Sequence, residues 1–537
     1  MASAQSLITL FLTSAFVICS CGVASFVGSS AKNSAKKTPA MIVDEGGEIC
    51  NKSRPVIGDV QPVEKWHWGG WTSPDGQKYG TTYSSPVVGD LDNDGRTEVV
   101  TIPSIATNYS TSHGPVVVLE GATGKPLFNS IEVLGAVGGA MVSSTPMLAD
   151  LDKDGFAEII FAAFVTPSAL AYGSAGDAAA NAAANAAIKV LAIDYKTRAI
   201  KYTFQNPSLT CGSVTNGIER LYCLGAVADI DGDGNLEVVI GNAILSNTLT
   251  LKKLFSAGIG YSMPSTVSLA DISAASPGLE IVANGSIVFS SLGDLLWTGS
   301  AACQGYSAVS DINSDGANEV LCVGQGKVTA FANSGSQMWQ SAIPIEQDMP
   351  MSLRNSGGGP PNIGNFLGDD KFEIGLAGGD YYVVFDHQGK EVWKKRTTDR
   401  SSLRTGSTIF DFNGDGKMEV IYNDEQKLRI YSGETGAILW ETDNPSGTLW
   451  EYPLVANVDD DISSELIVSS PTRGGVRVFE DPKNLWMYSR RVWNQYSYFP
   501  ELVDDLLKST PIFGQKVRHG FRVNSQGLNP PVKAPCK

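Results

Sequence analysis

One nine-residue pattern returns eight times along this 537-residue chain. VVGDLDNDGRTEVV (87–100) recurs as MLADLDKDGFAEII (147–160), AVADIDGDGNLEVVI (226–240), AVSDINSDGANEVL (308–321) and TIFDFNGDGKMEVI (408–421). Three worn copies keep the frame: SLADISAASPGLEIV (268–282), NIGNFLGDDKFEIG (362–375) and VANVDDDISSELIV (455–468). The first loop positions fall at 90, 150, 229, 271, 311, 365, 411 and 457, a mean spacing of about 52 residues. A repeat of this length means a solenoid, propeller or array, in which each unit buries its apolar faces against its neighbours.

Each loop is followed by a segment of constant style, as in VVVLEGATGKPLF (116–128), GSIVFSSLGDLLW (285–297), KVTAFANSGSQMW (327–339), YYVVFDHQGKEVW (381–393) and LRIYSGETGAILW (428–440). Alternation around Gly-containing turns predicts antiparallel hairpins. One unit is therefore a strand, the acidic loop, a second strand, a turn and two more strands. Four strands per repeat is the pattern of a propeller blade. The expected fold is all-β, a single β-propeller of eight four-stranded blades, with seven as the alternative. Residues 62–71 (PVEKWHWGGW) are expected to arrive as an outer strand that completes the last blade and closes the ring. His67 between Trp66 and Trp68 reads as a packed strand residue there, or as part of a sugar-binding or catalytic surface. Aromatic residues at the hairpin ends read as packing between blades. Two insertions break the rhythm, an Ala-rich one (169–189) of helix-favouring composition and NSGGGPPN (355–362).

Several carboxylates within nine residues of a tight turn repel one another unless a cation sits among them. Hard divalent ions prefer such all-oxygen sets, and Ca²⁺ tolerates irregular loops better than Mg²⁺. Side chains at positions 1, 3, 5 and 9 and the backbone carbonyl at position 7 are the candidate ligands, with Gly at position 6 permitting the bend. The sets are Asp90, Asp92, Asp94, Arg96 and Glu98; Asp150, Asp152, Asp154, Phe156 and Glu158; and Asp229, Asp231, Asp233, Asn235 and Glu237. With Asn at position 3 come Asp311, Asn313, Asp315, Ala317 and Glu319, and Asp411, Asn413, Asp415, Lys417 and Glu419. An EF-hand is excluded by the β-type flanks and the lack of a Glu at position 12. The fourth and sixth loops are expected to bind nothing; the eighth (Asn457, Asp459, Asp461, Glu465) lacks the Gly and is left open. Five Ca²⁺ ions, acting as structural staples, would bring the net charge from −16 to −6.

These D-x-D-x-D-G-x-x-E loops between small apolar strands resemble FG-GAP (VCBS) repeats, known from integrin α-chain propellers and many exported bacterial proteins. The resemblance covers about residues 80–470. RRVWNQYSYFPEL (490–502) and HGFRVNSQG (519–527) resemble the C-terminal stretch of some bacterial members, and the hairpin aromatics resemble quinoprotein blades.

Residues 7–28 carry no charge and read as an export leader. Ile18-Cys19-Ser20 before Cys21 resembles a lipobox, with Cys21 the lipidated residue; simple cleavage and a retained membrane anchor are the alternatives. The layout is then a leader (1–28), a tether (29–60), the propeller (61–502) and a C-terminal extension closing or packing on it (503–537). Six cysteines remain outside the leader, and their spacing suggests Cys211–Cys223, Cys303–Cys322 and Cys50–Cys536. Disulfides suit an exported chain.

With 40 basic against 56 acidic residues, the chain is unsuited to coating nucleic acid. There is no GxSxG elbow, HExxH, P-loop or Rossmann glycine pattern. Two function classes remain. One is a secreted or surface-anchored monomeric scaffold, non-enzymatic, that recognises a protein or glycan in adhesion. The other is a propeller enzyme, either a polysaccharide lyase or a quinone-dependent dehydrogenase.

Overall fold

The computed structural model describes residues 60–105, 113–164, 188–211, 223–255, 265–299, 303–354, 357–459, 461–510 and 520–524. Eight four-stranded antiparallel meanders succeed one another, seven of them each built from one repeat; in blade 4 the short strand Cys223–Leu224 adds a fifth, parallel to the inner strand Ser265–Ala270. In blade 1 the strands run from inside outward as Val87–Gly89, Glu98–Thr101, Val117–Glu120 and Pro126–Asn129. The acidic loop joins the first two. Blades 2 to 7 repeat this meander, and the inner strands of successive blades lie side by side. The all-β, eight-bladed expectation holds, and seven is excluded.

Blade 8 takes three strands from the end of the repeat region, Leu454–Ala456, Glu465–Ser469 and Val476–Glu480. Its outer strand is Val63–Trp68, paired antiparallel with Val476–Glu480. The strand preceding the first repeat thus pairs with the last repeat and closes the ring, which leaves no open sheet edge between first and last repeats. His67 sits in this strand opposite Arg477 and bonds the Gly474 carbonyl through Nε2 at 2.8 Å, while Trp66 and Trp68 are buried.

Inner strands are buried on both faces, so they read as Val, Ile, Leu and Ala without alternation; Glu158–Phe164 of blade 2 is buried throughout. Outer strands alternate, as in Gln337–Ala342. Neighbouring blades are pinned by tryptophans of the outer strands. Trp66, Trp297, Trp339 and Trp393 donate their indole N–H to the carbonyls of Gly121, Asn333, His387 and Gly433 in the outer turn of the next blade. The turn glycines beneath these rings (Gly124, Gly335, Gly389, Gly436) have φ of 64–82°, and a Cβ there would press on the indole at 2.5–2.7 Å. That explains why Gly and the outer aromatic recur together in four of the five hairpin turns; in the fifth, Gly293 (φ 78°) instead has a Cβ position 2.8 Å from Lys253 Cγ.

The axis of the ring is filled. Trp493 exchanges backbone hydrogen bonds with Val88 of blade 1, and the Asn494 carbonyl accepts the Leu148 amide of blade 2. Gln495 Oε1 accepts the Val227 amide of blade 3 at 2.7 Å. On the other side Phe521 pairs with Ile363 of blade 6, the Arg522 carbonyl accepts Thr408 of blade 7, and Asn524 Nδ2 reaches Val455 of blade 8. Arg522 is fully buried, its guanidinium over the rings of Tyr452 and Tyr496 at 5.0 and 4.5 Å.

Two of the expected disulfides are present, Cys211–Cys223 and Cys303–Cys322, with Cα separations of 5.1 and 6.1 Å. Cys50, Cys536, Cys21, the leader and nearly all of the Ala-rich insertion lie outside the described residues. Among the described residues no helix is long and apolar enough to cross a membrane.

Candidate metal centres

The acidic loops share one internal lattice. At position 9, or position 10 in the longer fourth loop, one carboxylate oxygen of the Glu (Glu98, Glu158, Glu237, Glu280, Glu319, Glu373, Glu419, Glu465) accepts the backbone N–H of position 2 in all eight loops, at 2.7–3.1 Å. In the five intact loops the position-1 Asp accepts the N–H of the position-6 Gly at 2.8–3.0 Å. Those glycines have φ of 87–90°, the left-handed region that a side chain would strain. The Asp at position 5 turns back onto its own loop and accepts the N–H of position 7 (Arg96, Phe156, Asn235, Ala317, Lys417) at 2.7–2.9 Å.

This lattice gathers oxygens in the first three blades. One oxygen each of Asp90, Asp92 and Glu98 lies within 4.8 Å of the others, and the same holds for Asp150, Asp152, Glu158 and for Asp229, Asp231, Glu237. Oxygens so spaced can share a cation held at about 2.3–2.6 Å from each. The residues fit such an ion on a second ground. Asp92 Oδ1 and Asp150 Oδ1 are buried with no hydrogen-bond partner, Asp150 being 2% exposed and paired with Lys508 Nζ at 3.4 Å through its other oxygen only. A buried, unpaired carboxylate oxygen is costly unless something cationic meets it.

Blades 5 and 7 are built differently. Asn313 and Asn413 replace the third-position carboxylate, and their amides bond inside the loop, Asn313 Nδ2 to Glu319 Oε1 at 3.3 Å and Asn413 Oδ1 accepting the Asp415 N–H at 2.8 Å. Two aspartates and a glutamate remain in each, Asp311, Asp315, Glu319 and Asp411, Asp415, Glu419. In blade 8 the gathered set is Asp459, Glu465 and Glu480. Glu480 ends the third strand rather than sitting in the loop, so the motif alone could not supply it, and Asp461 instead accepts the Ser463 N–H at 2.7 Å.

Burial dominates the electrostatics. It pushes the carboxyls of Glu98 and Glu419 up to about 8, and those of Glu158, Glu237, Glu319 and Glu373 to about 7; Lys201 and Lys252 oppose the shift most at Glu158 and Glu237, and the amide bond at position 2 does so in the others, without cancelling it. Neighbouring aspartates push Glu98 further in the same direction.

At the opposite end of the blades, where second and third strands connect, a cleft of about 440 Å³ lies beside the ring closure. Lys78, Tyr83 and Arg473 are among its lining residues.

No protein-family model and no curated protein matches the sequence, so the resemblance to FG-GAP repeats rests on the loops themselves. Solved structures do match. The V. cholerae biofilm matrix protein Bap1 is 18% identical with a TM-score of 0.66, over 86% of this chain and 99% of that one. The exotype rhamnogalacturonan lyase YesX is 16% identical with a TM-score of 0.54, over 78% of this chain and 76% of that one. The Bacillus licheniformis rhamnogalacturonan lyase PL11 is 17% identical with a TM-score of 0.51, over 78% and 74%. The likeness is one of fold.

Proposed function

We propose that this chain is a calcium-stabilised, extracytoplasmic β-propeller that recognises a protein or glycan partner at the cell surface without transforming it. The observation that carries this reading is the filled axis. Trp493, Gln495, Phe521 and Arg522 occupy the centre of the ring as core, so a partner meets the faces or the rim. Supporting it, the intact acidic loops hold their aspartates by their own backbone amides, an arrangement suited to a structural cation, with Ca²⁺ the ion their oxygens favour. Two disulfides suit an oxidising compartment. The likeness to a biofilm matrix protein over nearly its whole length is consistent with a scaffold, although fold alone does not assign function.

A second reading, a polysaccharide lyase, draws on the likeness to rhamnogalacturonan lyases and on the cleft, whose Lys78, Arg473 and Tyr83 suit an acidic sugar. One experiment separates the two. The purified protein is incubated with acidic and neutral polysaccharides, with calcium and with chelator, while binding and the ultraviolet absorbance of unsaturated uronide products are followed together. Calcium-dependent retention of the polymer without new absorbance supports the scaffold. Rising absorbance with falling viscosity replaces it by the lyase.

A further inference from the structure

Every blade carries the same irregularity. Between its third and fourth strands the pairing skips one residue of the fourth strand, a β-bulge at a constant register. The skipped residues are Leu127, Lys201, Lys252, Leu296, Met338, Val392, Leu439 and, on the ring-closing strand of blade 8, Lys65. A bulge re-aims the side chain of the extra residue. Five blades place an apolar side chain there, and three place a lysine.

Each of those lysines meets the third-position aspartate of its own acidic loop. Lys201 Nζ lies 2.6 Å from Asp152 and 2.8 Å from Glu158. Lys252 Nζ lies 2.7 Å from Asp231 and 2.9 Å from Glu237. Lys65 Nζ lies 2.5 Å from Asp459 and also contacts Glu480. The two features go together. Blades 4, 5, 6 and 7 have Ser273, Asn313, Leu367 and Asn413 at position 3 and no lysine at the bulge. Blade 1 differs at position 3: it keeps Asp92 there, yet presents Leu127 at the bulge, and where Asp152, Asp231 and Asp459 each meet a bulge lysine, Asp92 Oδ1 is buried without a hydrogen-bond partner.

We infer that Lys201, Lys252 and Lys65 are built-in cations that take the place of a metal ion in blades 2, 3 and 8, so that the divalent-cation requirement of the propeller is concentrated in the lysine-free loops, above all that of blade 1. The inference rests on the calcium reading above and divides its sites. A tethered ammonium supplies one positive charge at fixed effective concentration, and its position between position 3 and a neighbouring carboxylate blocks the oxygens a metal would need. Blade 1 has the full acid set and no bulge lysine; Arg96 pairs with Asp94, and Arg96 and Arg198 act on Asp92 through charge alone, without a hydrogen bond to it.

The test exchanges the two bulge types. Leu127→Lys brings the lysine to blade 1, and Lys252→Met gives blade 3 the residue that blade 5 carries. Lys253→Met, one residue further along the same strand, is the control. Bound calcium is measured by elemental analysis after equilibration with the ion, and melting curves are recorded with calcium and with chelator. Leu127→Lys should bind one ion fewer than wild type and narrow the gap between its two curves. Lys252→Met should bind one ion more and widen it, while Lys253→Met changes neither. Should Lys252→Met fail to fold in chelator, its recovery on adding calcium reads the same gain, and Leu127→Lys stands independently. Unchanged stoichiometry in both exchanges, with a wild-type protein that still binds calcium, overturns the lysine assignment and leaves the calcium reading intact. A wild-type protein that binds no calcium and melts identically in chelator overturns the calcium reading, and the division between blades falls with it.

Discussion

The loops of blades 1 and 6 have the same length and the same lock, yet nearly opposite chemistry. Glu98 accepts the Leu91 amide at 2.9 Å, and Glu373 accepts the Phe366 amide at 2.8 Å. Both glutamates are almost fully buried. Blade 1 adds Asp90 and Asp92 to that glutamate, whereas blade 6 has Asn365 and Leu367 in their places. The comparison separates two jobs that the motif presents as one. The glutamate that ends the loop is a fold element that fastens the loop to its strand in every blade. The aspartates are what a bound cation would need, and they are absent from blade 6 without loss of the blade.

The largest effect that would test this separation is removal of the ion. Ligands that bind only the folded state add RT ln(1 + [L]/Kd), about 2.7 kcal/mol per site at a hundredfold excess. Several sites acting together make the melting temperature in chelator far lower than in millimolar calcium, and superimposed curves would reduce the loops to acidic turns. Next comes the lock. Glu373→Ala and Glu98→Ala each strand a buried N–H, at a cost of about 1–3 kcal/mol. Both should lower the melting temperature in chelator by comparable amounts, and only Glu98→Ala should also reduce the calcium-induced rise. Equal calcium responses would show that Glu98 is no ligand. Smaller still is Asp92→Ala, which removes a buried unpartnered oxygen from blade 1. It should be close to neutral in chelator and cost one ion in calcium, measured by elemental analysis, whereas an alanine at Asp271 of the worn fourth loop should change neither.

The eightfold period and the period-two hairpins specify blade number, strand count and closure by Val63–Trp68, because each follows from local pattern. The acidic clusters of the first three blades were legible for the same reason, as their oxygens lie on one short loop. What escaped the sequence is non-local. Lys65 reaches Asp459 only because the ring closes, 394 residues apart in the chain. Glu480 and the bulge lysines stand on strands outside the motif, and the bulge register becomes visible only once third and fourth strands are paired. The axial segment has no periodicity to announce it, since Trp493, Asn494 and Gln495 bond to the inner edges of three different blades.

The finest test of the comparison is a slope against pH. Burial raises the carboxyls of Glu373 to about 7 and of Glu98 to about 8, both above the 4.5 of a free glutamate. The folded state therefore holds protons that the unfolded chain has released, and stability falls as pH rises between about 4.5 and those values. In chelator the protein should melt higher at pH 5.5 than at pH 8. Glu373→Gln and Glu98→Gln keep an oxygen for the amide but cannot ionise, so each should flatten that slope. Calcium should divide them: an ion at blade 1 favours the ionised Glu98 and cancels its share of the slope, whereas blade 6 offers the ion no aspartates. In calcium, Glu373→Gln should still flatten the dependence and Glu98→Gln should not. A slope that responds alike to both substitutions in both conditions would mean that the two loops differ in sequence only, and that the aspartates of blade 1 hold nothing.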